Sequence, residues 1–326
     1  MKKILGIGNA LVDIMTILEN DGFLNTFNLQ KGSMQLVDGD FSLNILTNTE
    51  EMKKELSSGG SAANTIHGLA NLGIATSFIG KTGNDHYGHF FADDMRSIGI
   101  NPVLFAGNAE TGRAIALISP DSERTFATYL GSAIELTADE LTEELFKDHD
   151  YFYIEGYLVQ NRNLILKAIQ IAKKLNIKIC IDLASYNVVE QNLEFLKDIV
   201  ANYVDIVFAN EEEAKAFTGK EPEDALNEIA TMCEIAIVKT GKRGSLIKFA
   251  DEIYRIEPIE CNCIDTTGAG DSYAAGFIYG LSHGYSLEKC GAIGSLLSGK
   301  VIEVIGAKMT ESQWEEIKNH ISKIAE

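Results

Sequence analysis

From Tyr151 to Ile256 the chain alternates short apolar runs with amphipathic stretches, and few folds accommodate that pattern. Tyr151 to Ile154, Lys178 to Ile181, Val204 to Phe208 and Ile235 to Val238 read as strands, with two more inside Ser245 to Ile256. Asn163 to Leu175, Gln191 to Ala201 and Glu211 to Phe217 carry their apolar residues at helical spacing. Short, continuously apolar strands need cover on both faces. The pattern therefore predicts an α/β fold, a largely parallel central sheet with helices on both sides. Ligands of such sheets bind beyond the C-terminal ends of the strands. The polar motifs of this chain follow its predicted strands, so they share one rim.

The first half of the chain is less regular. Ile4 to Ile7 reads as a buried strand, and Gly8-Asn9-Ala10-Leu11-Val12-Asp13 as the turn leaving it. Met1-Lys2-Lys3 before an apolar run imitates a signal peptide, but Gly6, Gly8, Asn9 and Asp13 interrupt the run and no small-residue cleavage site follows. Met34, Leu36 and Val37 suggest a short strand, Phe41 to Leu56 a helix, Ala75 to Ile79 a strand and Asp85 to Ile98 a helix. Between Asn101 and Leu130 the runs Ala114–Ile118 and Thr125–Tyr129 are strands joined by the turn Pro120-Asp121-Ser122-Glu123. No amphipathic helix separates them, so an antiparallel flap is expected. With residues 14–37 it would form a small β-sheet lid over a cleft. Helical patterns at 269–283, 286–303 and 310–324 close the chain, which is expected to be a single domain over 1–326 with lid segments at about 14–37 and 101–130.

Composition narrows the function. A net charge of −19 over 326 residues argues against a nucleic-acid surface, which needs clustered Lys and Arg, and fits simple solubility. No apolar stretch is long enough to span a bilayer. Five cysteines without framework spacing fit reduced thiols and a cytoplasmic location, and Cys261-x-Cys263 lacks the second pair that a zinc site requires.

Chemistry concentrates at Asp265-Thr266-Thr267-Gly268-Ala269-Gly270-Asp271, which opens an apolar helical pattern. Glycines at a helix start leave backbone N–H groups bare, and the helix dipole adds to their pull on an anion such as a phosphoryl group. Asp271, one residue beyond, can take a proton from an attacking hydroxyl. Ser58-Gly59-Gly60-Ser61-Ala62-Ala63-Asn64 opens a second helix rich in small residues, which let a ligand or another backbone come close. Asn9 and Asp13 beyond the first strand look like hydroxyl-binding groups. Asn210-Glu211-Glu212-Glu213 is a good helix N-terminus and also a place to organise Mg²⁺ and its waters. Lys239-Thr240-Gly241-Lys242-Arg243-Gly244 is a turn that could carry a nucleotide. Two alternatives fail on single residues. A dinucleotide fingerprint from Gly6-x-Gly8 needs a third glycine where Leu11 stands, and a P-loop ending at Gly80-Lys81-Thr82 needs a glycine where Ala75 stands.

Four of these motifs, in this order, resemble the PfkB (ribokinase-like) carbohydrate and nucleoside kinases: Gly59-Gly60-Ser61-Ala62-Ala63-Asn64, Asn210-x-x-Glu213, Thr240-Gly241-x-x-Gly244 and Asp265–Asp271. The resemblance spans essentially the whole chain. It implies a ribokinase-like fold, ATP and Mg²⁺ as cofactors, and Asp271 as catalytic base beside an anion hole made by Gly268, Ala269 and Gly270. By the same resemblance Asn9, Asp13, Gly60 and Asn64 hold the acceptor. Asn210, Thr240, Gly241 and Gly244 serve ATP, and Glu213 holds Mg²⁺ through water. Asp265 and Thr267, with carbonyls around Val301, Val304 and Gly306, fall where many members bind a monovalent cation such as K⁺. Gly8–Asp13, Asp21-Gly22-Phe23-Leu24, Leu29-Gln30-Lys31, Leu36 and Pro120–Thr125 are similar to the adenosine kinase branch, in which Arg124 would reach the transferring phosphate from the lid. The expected reaction is phosphorylation of the 5′-hydroxyl of adenosine or a related nucleoside. A sugar kinase acting on ribose, fructose or a sugar phosphate is the alternative, and a binding protein that has lost its chemistry is a third. The partner is a small molecule, with no nucleic acid and no membrane, and an exposed lid edge could pair two copies as a homodimer.

Overall fold

The computed structural model describes residues 2–121 and 123–326; Met1 and Ser122, which belong to two of the stretches above, lie outside the described residues. The strands are β1 Lys3–Ile7, β2 Leu11–Ile17, β3 Met34–Leu36, β4 Lys54–Gly59, β5 Ala75–Thr82, β6 Asn101–Ala106, β7 Gly112–Ile118, β8 Arg124–Tyr129, β9 Tyr151–Glu155, β10 Lys178–Asp182, β11 Ile206–Asn210, β12 Ile235–Lys239, β13 Ser245–Phe249 and β14 Glu252–Ile256.

Nine of them form the central sheet, in the order β14-β13-β12-β11-β10-β9-β1-β5-β6. From β12 to β6 every pairing is parallel, whereas β13 and β14 add antiparallel at one edge. The chain places β5 and β6 on one side of β1 and β9 to β12 on the other. A crevice therefore opens at the C-terminal ends of β1 and β9, where chain order reverses.

Strand alternation explains the two cores. Phe152 and Ile154 face one hydrophobic cluster with the Arg162–Lys174 and Leu193–Asn202 helices. Tyr153 between them faces the other, shared with the Ser61–Asn71, Ala269–Ser282 and Leu287–Val301 helices. Small residues bring the helices of that second layer into backbone contact. A Cβ on Gly276 would lie 2.6 Å from the Ile293 carbonyl oxygen, and one on Gly68 would lie 2.8 Å from Ala275 Cβ. The helices that carry the two glycine motifs are thereby packed directly on each other.

The remaining five strands form a small sheet, in the order β3-β8-β7-β2-β4. Several local expectations change here. Leu11–Asp13 belong to β2 rather than to a turn, because β2 pairs with both β4 and β7. The helix expected over Phe41–Leu56 runs over Gly39–Asn48, and Lys54–Gly59 pairs with β2 instead, the ladder overriding local spacing. Asn101–Ala106, expected in the flap, pairs with β5 as the edge strand of the central sheet, a position that tolerates Pro102. The helix expected over Gln191–Ala201 runs over Leu193–Asn202, and Tyr186–Gln191 and Pro222–Ile229 are further helices that the apolar spacing does not predict.

Candidate active site

The Ala269–Ser282 helix begins at Gly268, whose φ of 73° is left-handed and which offers no side chain to cap the helix. The Ala269 N–H donates to the Thr266 carbonyl at 3.2 Å, while those of Gly268, Gly270 and Asp271 have no partner among the described residues and can meet a ligand. A side chain at Gly268 is also excluded by space, since a Cβ would lie 2.7 Å from Ala307 Cβ.

Asp271 sits in the first turn of this helix, and the Ser61–Asn71 helix reaches it from the other side. Ser61 Oγ donates to Asp271 Oδ1 at 2.7 Å and Asn64 Nδ2 donates to Oδ2 at 3.0 Å. Burial raises the Asp271 carboxyl to about 6, and these two hydrogen bonds hold it from rising further. Asn64 keeps its Oδ1 buried without a partner among the described residues, and so does Asn9. Two buried amide oxygens lacking donors, beside a carboxylate, suit an acceptor that brings hydroxyl protons.

Glu155, at the end of β9, ties this corner together. Its Oε1 accepts Asn9 Nδ2 at 2.6 Å and the Asn9 N–H at 3.3 Å, and its Oε2 accepts the Ala62 N–H at 3.0 Å. Burial pushes Glu155 up to about 7. Gly60 has φ 98°, and a Cβ there would lie 2.2 Å from the Asn9 carbonyl oxygen. Asp13, in β2, presses its carboxylate on Gly59, where a Cβ would come within 2.1 Å of Oδ1. Burial raises Asp13 to about 7, opposed by the positive charge of Lys308.

Along the rim, Lys239 at the end of β12 donates to Asp182 Oδ2 at the end of β10, at 2.8 Å. A Cβ on Gly270 would lie 3.1 Å from Lys239 Nζ, so this cation rests against the glycine turn. Asn210 and Glu213 cap the Glu211–Thr218 helix reciprocally. Burial first, and then the charge of Asp182, raise Glu213 to about 7. No group of three or more His, Cys, Asp or Glu among the described residues is arranged to hold a metal. Thr240 closes the turn between β12 and β13, donating from Oγ1 to the Gly244 carbonyl at 3.0 Å. Gly244 has φ 83°, and a Cβ there would lie 1.9 Å from the Ile256 carbonyl oxygen.

A cavity of about 1180 Å³ opens between the two sheets. Its walls include Asn9, Asp13, Gly60, Asn64, Asn210, Thr267, Gly268, Ala269, Gly270 and Asp271. Of the other sequence-derived candidates, Thr240, Gly241, Gly244 and Glu213 lie outside these walls. Arg124 is buried and paired with Asp265, behind Thr267. The cavity is also lined by apolar side chains, Met34, Leu36 and Phe126 from the small sheet, on the face that carries Asp13, and Leu130, Ile134 and Leu136 beyond it.

A family model described as pfkB family carbohydrate kinase matches residues 41–314. The chain belongs to the pfkB family. It is a phosphotransferase with an alcohol acceptor, on a ribokinase-like fold. The crystal structure of a probable sugar kinase protein from Rhizobium etli CFN 42 is 34% identical with a TM-score of 0.87, covering 98% of each chain. That of adenosine kinase from Sinorhizobium meliloti is 32% identical with a TM-score of 0.87, covering 98% of this chain and 99% of that one. The 5-dehydro-2-deoxygluconokinase of Listeria monocytogenes serotype 4a (strain HCC23) is 29% identical over 283 residues, 81% of this chain and 86% of the relative.

In this pfkB kinase the sequence motifs do not pair Ser61 with Asp271, they include Lys239 only as the start of a turn, and they omit Glu155, Asp182 and Lys308. Three of these carried a usable signal. Glu155, Asp182 and Lys239 each end or directly follow a predicted apolar strand, where a charged residue lands on the ligand rim. Lys308, between the last two helices, gave none.

Proposed function

We propose that this pfkB kinase transfers the γ-phosphate of ATP to the 5′-hydroxyl of adenosine or a related nucleoside. The observation that carries the acceptor is the mixed lining of the cavity: unpartnered Asn9 and Asn64 oxygens beside Asp271, and Met34, Leu36 and Phe126 on the small-sheet face that also carries Asp13. A ribose has hydroxyls for the polar groups, and a flat base buries apolar area on the apolar side chains. A small polyhydroxyl sugar would leave those side chains wet.

In this reading Asp271 takes the proton of the acceptor hydroxyl as its oxygen attacks the γ-phosphorus. A carboxyl titrating near 6 is mostly ionised at neutral pH yet more basic than an ordinary one. Ser61 and Asn64 aim it. The bare N–H groups of Gly268 and Gly270, on either side of Ala269, meet the negative charge spread over the phosphoryl group in transit, with Lys239 behind them. Gly244 and Thr240 shape the turn on which we put the nucleotide.

The donor set fits magnesium. Asp182 at the end of β10 and Glu213 in the helix turn after β11 crowd negative charge in a buried place, and a hydrated divalent ion would relieve it. Glu213 and Asn210 would hold such an ion through water, and it would neutralise phosphate charge when bound. Water must be kept from the γ-phosphate, and the small sheet supplies the cover.

ADP release measured against a panel of nucleosides and sugars tests the reading. We expect adenosine or a near relative to give the highest kcat/KM. A sugar or sugar acid turned over faster than every nucleoside would overturn the nucleoside assignment and favour the sugar-kinase alternative.

A further inference from the structure

The sequence resemblance implies a monovalent cation at Asp265 and Thr267, but the residues present do not fit one. Asp265 already has its donors. The Thr267 N–H (3.1 Å) and Thr267 Oγ1 (2.8 Å) donate to Oδ1. The Gly306 N–H donates to Oδ2 at 2.7 Å, and the Arg124 guanidinium pairs with that same oxygen. Arg124 Nη1 also donates to Thr267 Oγ1 at 3.2 Å. Of the carbonyls assigned to the ion, that of Val301 accepts the Val304 N–H at 3.2 Å. The Arg124 and Asp265 side chains are each 8% exposed, so this is a buried pair. A metal ion brought to Asp265 would meet a guanidinium charge in a medium that screens poorly.

We infer that Arg124 is a built-in cation: its guanidinium neutralises Asp265 in place of a monovalent metal ion, and it braces the glycine turn from the small sheet. The bracing is direct. Asp265 holds Thr267 on one side of Gly268 and Gly306 on the other, and Ala307 packs on Gly268 itself. Arg124 opens β8, so the order of the turn is tied to the placement of the small sheet. Held in this way, Arg124 is a positioning residue and not a direct phosphate contact. The expectation of K⁺ dependence is accordingly reversed. The kinase reading underlies the turnover arm of the test, while the melting arm stands without it.

Thermal melting of the protein without substrate, and ADP release with its best acceptor, would be measured in KCl, NaCl and tetramethylammonium chloride at equal ionic strength. A bound ion stabilises in proportion to the logarithm of its concentration over its Kd. The wild-type protein should melt at the same temperature in all three salts, with turnover in KCl within about twofold of that in tetramethylammonium chloride. Arg124→Ala should melt lower in tetramethylammonium chloride and recover part of the loss, together with several-fold of its turnover, in KCl. Arg124→Lys, which keeps the charge, should be as indifferent to salt as the wild type. K⁺-dependent stabilisation or activation of the wild type or of Arg124→Lys would overturn the inference. So would an Arg124→Ala protein that folds and ignores K⁺.

Discussion

Asp271 is an acid in a place that disfavours charge, and two neighbours decide what it can do. Burial raises its pKa to about 6, while Ser61 and Asn64 donate to its two oxygens and hold them toward the acceptor side of the cavity. Asparagine at this position is isosteric but cannot take a proton. Asp271→Asn should therefore melt near the wild-type temperature while kcat falls by about 10²–10⁴-fold, the usual range for a lost general base. Steady-state turnover alongside a melting curve checks both halves, and near wild-type kcat would remove Asp271 from the mechanism. Residues of this kind, within a contiguous motif, were readable from the chain. Ser61 was visible within its motif, but its hydrogen bond to Asp271 was not, because the two stand 210 residues apart.

At the scale of elements, the site is a junction of three: the end of β1, the end of β9 and the start of the Ser61–Asn71 helix. Glu155 joins them by accepting the Asn9 N–H, Asn9 Nδ2 and the Ala62 N–H. Removing the carboxylate would leave those buried donors without a partner, at about 1–3 kcal/mol. Glu155→Ala should lower the unfolding free energy from a denaturant titration by that much and raise KM for the acceptor more than it lowers kcat, because Asn9 would lose its orientation. Glu155→Gln should lose less on both counts. An unchanged KM in Glu155→Ala would show that Asn9 does not touch the acceptor. Pairing also explains which local expectations changed. Lys54–Gly59 and Asn101–Ala106 take their structure from β2 and β5, strands distant in sequence, and helical spacing or flap character could not reveal that.

Over the whole molecule, buried acids set how stability depends on pH. Asp13, Glu155 and Glu213 titrate at about 7 and Asp271 at about 6 in the folded chain, above their ordinary values of 3.8 to 4.5. Between those limits the folded state binds more protons than the unfolded one. Stability from these groups is therefore present at low pH and lost as pH rises through their folded values. Without ligand, the melting temperature should rise from pH 8 to about pH 5.5, while kcat falls below about pH 6 as Asp271 takes up its proton. Relief of repulsion in a chain of net charge −19 acts in the same direction, so Glu155→Gln is the control: it should flatten the slope. Lys308, pushed down to about 8 by burial, has the opposite sign and adds stability as pH rises from there toward 10.5. A melting temperature that falls steadily from pH 8 to pH 5.5 would contradict the directions assigned to the acids.

The amino-acid sequence alone determined the sheet-and-helix alternation, the rim on which ligands gather, the four ordered motifs and the family they belong to. These are local or periodic properties, written in residues close together along the chain. Tertiary structure alone decided the partners of those residues. It joined Asp271 to Ser61 and Asn64, Asn9 to Glu155, and Lys239 to Asp182. It also turned Arg124 onto Asp265, where a side chain from the small sheet meets the loop before the glycine turn. Each of these pairs spans at least 57 residues, and the buried pairing of a charge or an amide follows from how the two sheets and their helices close on one another.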